Sequence, residues 1–148
     1  MMALVINVVL HVTTSQNLLA NIIASAVMFV SYFFSDDLSN FALDTDFYLV
    51  WLGFDITTML AVLFAVRVFQ QPITLAVKYL CVGLMTNGCL CLAMYADIGL
   101  RQNTEPWLLW DIYSIGGTFI DFAMIAVLIL NRDFLGIFKL KKRIWRTS

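Results

Sequence analysis

A chain of 148 residues that is 61% hydrophobic and only 13% charged lacks the polar surface of a soluble fold, since soluble domains carry about 25% charged residues. Its length allows one domain, 1–148, and four spans of about 20 residues each would fill more than half of it, which leaves little for a soluble catalytic domain. The formal net charge of −1 says nothing about partners as a total, whereas the placement of the charges along the chain is informative.

The first apolar stretch ends at Phe34, before Ser35, Asp36 and Asp37. It predicts a first span over about 16–34. Residues 3–12 are also apolar, and no Gly or Pro separates the two runs. One continuous helix from residue 3 to 34 is therefore favoured over a separate interfacial helix, with a length of ~48 Å at ~1.5 Å per residue. No Lys or Arg precedes the N-terminal apolar run, which argues against a cleavable signal peptide. The second span is expected over 47–66, capped by Asp44 or Thr45 and closed by Arg67. The third covers 73–95, with Pro72 at its start. The fourth covers 107–130, led by Thr104, Glu105 and Pro106.

These runs are continuous rather than alternating, which excludes a membrane β-barrel. The fold class that follows is all-α integral membrane, a four-transmembrane-helix antiparallel bundle. Beyond it, 132–148 forms a basic tail. Phe134, Ile137, Phe138, Ile144 and Trp145 share one helical face, and Lys139, Lys142, Arg143 and Arg146 lie on another. That pattern predicts an amphipathic interfacial helix whose basic residues meet anionic lipid headgroups.

Lysine and arginine in short loops orient the spans. The first loop holds Asp36, Asp37, Asp44 and Asp46 and no basic residue. The second holds Arg67 and Lys78, and the third only Arg101. The second loop and the tail are therefore expected on the cytoplasmic side, with both termini there, in a plasma (inner) membrane. Trp51, Tyr95, Trp107 and Trp110 fit an aromatic belt at the outer span ends.

Polar residues within spans are expected to face protein or water. In the first span Asn7, His11, Thr14, Asn21 and Ser25 form one stripe. The second offers Asp55 with Thr58, and the third Gly83, Asn87 and Cys91. The fourth offers Asp111, Ser114, Thr118 and Asp121, with Gly116 and Gly117 between. Counted from the outer ends, Asp111 lies ~6 Å in, Asp55 and Asn87 ~12 Å, Ser25 ~14 Å, and Asn21 and Asp121 ~20 Å. The expected arrangement is a ladder with Asp55, Asn87 and Ser25 on one level. Asp121 and Asn21 lie below them, and Asp111 stands at the mouth. No basic residue sits at those depths. A carboxylate there has to be protonated, cation-bound, hydrated or hydrogen-bonded to neighbouring amides and hydroxyls.

Two functions follow. The first is a small accessory or assembly subunit acting through helix contacts, as a homo-oligomer or with a membrane protein partner. The second is a proton- or monovalent-cation-conducting channel or carrier component using intramembrane aspartates; Asp55, Asp111, Asp121, Asn87, Asn21, Ser25 and Thr118 are the candidates for an ion pathway or for helix contacts. Cys81, Cys89 and Cys91 fit neither a metal nor a disulfide and read as small apolar residues. His11 alone makes no metal site. Neither a cofactor motif nor a nucleophile motif is present, so no enzyme is expected. The short basic tail points to lipid rather than nucleic acid.

Overall fold

The computed structural model describes residues 2–13, 19–39 and 46–130, and among them every element is helical. The helices are α1 (Met2–Thr13), α2 (Leu19–Ser39), α3 (Phe47–Val68), α4 (Leu75–Met94) and α5 (Leu108–Leu130), with a π-helical extension of α4 over Tyr95–Leu100. The basic tail, with Lys139, Lys142, Arg143 and Arg146, lies outside the described residues, as do Asp44 and Thr45.

Three helices are long and apolar enough to cross a membrane: α3, α4 with its extension, and α5; Leu19–Ser35 is a shorter apolar helix. A membrane protein is the class these helices indicate. Their outward faces agree, because Phe64, Ile115 and Phe122 are 71%, 71% and 68% exposed, a surface that suits lipid and not water.

The helix ends follow from local chemistry. Thr74 caps α4, its hydroxyl accepting from Val77 N at 3.3 Å. Pro72 therefore stands in the connection ahead of the cap and not in the first turn. At the end of α3, Gln70 takes a left-handed backbone (φ 52°), and Gln71 N donates to Val66 O at 2.9 Å. This closes carbonyls that the last turn would leave open. At the far end of α4, Asp97 is 4% exposed and not part of a solvated acidic loop. Its carboxylate accepts from the Trp107 indole at 2.7 Å and from the Asn103 amide at 3.3 Å. The π-helical turn thus carries an acid that fastens the connection to α5, and Trp107 is engaged there.

α3 packs on α2 and α4, and α5 packs on α4. Gly88 meets Leu52, and Gly83 meets Met124. Gly83 marks the closest approach of α4 and α5: a Cβ there would sit 2.4 Å from Met124 Sδ. The apolar core fills the half of the assembly near Arg67 and Lys78, the basic end. Val62, Val66, Val77, Leu80, Leu84, Val127 and Leu128 are each 0–1% exposed in it.

The favoured continuous helix over 3–34 does not form. Asn7 and Ser25 would stand ~27 Å apart along a straight helix, yet the Asn7 amide donates to the Ser25 hydroxyl at 3.0 Å. α1 folds back and packs on both α2 and α5. Its polar stripe explains the reversal. A fully buried Asn7 needs a partner, and an extended helix would carry it away from every other polar group. α2 and α5 touch each other little, and α1 fills the space between them toward the basic end.

Candidate functional site

Toward the other, acidic end, the polar sides of the helices enclose a cavity of about 270 Å³. Residues one or two turns apart share a helix face, and this spacing builds the walls. α3 supplies Trp51 and Asp55, together with the intervening Phe54; α4 supplies Asn87 and Cys91; α5 supplies Tyr113, Gly117 and Asp121 with Ser114 and Thr118; α2 supplies Ser31, Tyr32 and Ser35.

Asp121 is the hub. Its Oδ1 accepts from the Tyr32 hydroxyl at 2.8 Å and from the Asn87 amide at 3.1 Å. One carboxylate oxygen therefore ties α2, α4 and α5. Asp55 lines the same cavity and takes no hydrogen-bond donor from the described residues. It is close enough to Asp121 for the two charges to interact. Among the described residues no Lys, Arg or His lines the cavity.

The remaining polar groups of the lining are largely engaged. Ser31 and Thr58 are hydrogen-bonded to each other, Thr118 donates to Ser114 O at 2.8 Å, and Ser35 donates to Tyr32 O at 3.1 Å. The aromatic wall is braced from behind. Tyr48 meets Tyr113 edge-on at 5.5 Å, and Phe47 meets Trp51 at 5.2 Å.

One turn beyond the site toward the basic end, the interior becomes apolar. Met28, Val62, Leu84 and Met124 are at most 8% exposed, and they close the floor. The opening is lateral and toward the acidic end. Tyr32, Ser114 and Thr118 are exposed on the side where α2 and α5 separate.

Of the expected site residues, Asp55, Asn87, Thr118 and Asp121 meet at this cavity. Ser25 and Asn21 do not. The expected level for them assumed a helix ending at Phe34, but α2 runs to Ser39. Five more residues push both ~8 Å deeper. Ser25 pairs with Asn7, and Asn21 accepts from the Thr74 hydroxyl at 2.8 Å. Both are fully or nearly fully buried, and they join elements rather than line the cavity. Asp111 is exposed and lines neither this cavity nor the groove described below. His11 is exposed on α1, also away from the cavity lining.

Sequence reasoning missed Tyr32, which occupies the level assigned to Ser25. The signal was present, because Tyr32 stands seven residues beyond Ser25 on the same face. Trp51 was assigned to the membrane boundary, yet it lines the site; Cys91, expected in one stripe with Asn87, lines it beside that residue.

A second, apolar groove of about 400 Å³ runs between α2 and α3, lined by small residues that include Ala26, Thr57 and Ala61. Compared with known proteins, the chain matches no family model, no curated protein and no solved structure.

Proposed function

We propose that this chain is a four-span antiparallel helix bundle of a plasma membrane, with the α3–α4 connection and the C-terminus cytoplasmic, that binds and carries a proton or monovalent cation at Asp55 and Asp121. The observation that carries this reading is the meeting of two carboxylates from α3 and α5 in one cavity, with no basic residue in its lining among the described residues. Low-dielectric surroundings make such a pair costly unless a positive charge is shared between them. The two acids are unequal in a way that suits a carrier. Asp121 is held by two donors, while Asp55 is left to the occupant. The apolar floor supports a carrier that changes shape over an open pore.

The test is ion flux in reconstituted liposomes. Proton and sodium uptake should be measurable for the unaltered protein and lost in both Asp55→Asn and Asp121→Asn. Absence of flux, or flux indifferent to both substitutions, overturns the proposal.

The accessory or assembly subunit remains a second reading because of the groove between α2 and α3. Small residues such as Ala26 and Ala61 let another helix approach closely. A strictly monomeric protein in mild detergent and in native membranes, with no co-purifying partner, would remove this reading.

A further inference from the structure

We infer that the preferred occupant of the cavity is a small organic ammonium ion, held more tightly than an inorganic cation, an inference that rests on the proposed cation-carrying role of Asp55 and Asp121.

The lining decides between the two classes. A bare metal ion replaces its water shell with oxygen ligands, six to eight of them for calcium and near-octahedral for magnesium. The cavity sets two carboxylates among four aromatic rings, and one Asp121 oxygen already accepts from Tyr32 and Asn87. Among the described residues no group of three or more His, Cys, Asp and Glu is placed to hold a metal.

What the cavity does offer is aromatic surface. Trp51, Phe54 and Tyr113 line it together with Tyr32. Ring faces attract cations, and they do so best for organic ammonium groups, which shed water easily. Trp51 lies one helical turn before Asp55, so a ring and a free carboxylate stand on the same face of α3. The charge of an ammonium would rest against Asp55, and its alkyl or aryl body against the rings.

Size and access agree. A cavity of about 270 Å³ is near the lower limit of small-molecule sites, which span ~300–1,000 Å³. Beside the lining residues Tyr32, Ser114 and Thr118, the neighbouring Phe33, Ile115 and Phe119 are 61%, 71% and 61% exposed. Such apolar surroundings favour an amphiphilic cation over a strongly hydrated one.

The experiment is isothermal titration of the full-length protein in mild detergent with benzyltrimethylammonium chloride and, separately, with sodium chloride. Saturable one-site binding of the ammonium is expected. Asp55→Asn should weaken it at least tenfold, and this change removes no hydrogen bond within the described residues. Trp51→Leu should weaken it several-fold, with sodium binding unaffected.

Binding of sodium that depends on Asp55, with no saturable ammonium binding, overturns this inference and leaves the cation-carrying role standing. Ammonium affinity unchanged in both variants also overturns it, since the ligand would then sit elsewhere. Failure of both cations to bind removes the inference and the functional reading together.

Discussion

Replacement of Asp121 by leucine is expected to lower the stability of the folded protein by about 1–3 kcal/mol, while replacement of Asp55 by leucine leaves it unchanged or slightly raised. The two acids line one cavity, but only Asp121 is bonded to neighbouring helices. The substitution at Asp121 strands the Tyr32 hydroxyl and the Asn87 amide at once. A stranded donor costs about 1–3 kcal/mol when no other partner replaces the lost one, and bonds between membrane helices average nearer 0.6 kcal/mol. Water in the cavity relieves part of the cost, which sets the expectation below the simple total. Asp55 takes no donor from the described residues. Its removal deletes one of two like charges and no bond. Thermal unfolding in mild detergent, followed by loss of the monodisperse peak, separates the two variants. Equal loss at both positions would contradict the asymmetry.

The second large effect lies outside the cavity. Gly83→Val is expected to destabilise the protein by about 1–3 kcal/mol, the usual range for overpacking a filled interior. A Cβ at that position falls 2.4 Å from Met124 Sδ and 2.5 Å from its Cγ, and Met124 is itself 2% exposed within the core. Met124 belongs to the same buried cluster as Leu84 and Val127, so its side chain has to shift within a packed core. The close approach of α4 and α5 at Gly83 also sets the register that brings Asn87 to Asp121, one turn further along each helix. In a Met124→Ala background the added side chain fills the vacated volume. The double variant should then be more stable than the two single losses added together, with a coupling of about 0.5–3 kcal/mol. Additive losses would show that the two residues do not touch.

The apolar runs carried most of the architecture. Continuous stretches around Leu60, Leu84 and Ile120 have no alternation, and the interior of a bilayer allows them one regular structure. The three helices long enough to cross a membrane fall close to their expected bounds. The first span was misread because periodicity is blind to a change of direction. Asn7, Asn21 and Ser25 are in register whether the helix continues or folds back on itself. Only the three-dimensional pairing of Asn7 with Ser25 distinguishes the cases.

The site was half legible for a related reason. Asp55, Asn87 and Asp121 are polar residues in apolar runs, and such residues have to face one another or water. Aromatic residues give no such signal. Tyr32, Trp51 and Tyr113 suit lipid, the membrane boundary and a protein cavity equally well. Asp97 shows the converse. It sits among the acidic residues near the span ends, yet Trp107 and Asn103 draw it into the structure.

The measurement that tests the shared acidic cavity most directly uses a thiol the protein already has. Cys91 lines the cavity, whereas Cys89 is exposed on the outer surface of α4. In a Cys81→Ala, Cys89→Ala background, Cys91 can be labelled with two small methanethiosulfonates of similar size, one a trimethylammonium and one a sulfonate. The ratio of their rates cancels the intrinsic reactivity of the thiol and reports the local potential. Clefts lined by one sign of charge enrich the opposite ion by about tenfold or more. Asp55 and Asp121 facing Cys91 across one water-accessible cavity predict a ratio of about ten or more in favour of the cationic reagent, falling toward about one in Asp55→Asn, Asp121→Asn. A Cys91 inert to both reagents, or a ratio that ignores the two aspartates, would contradict it.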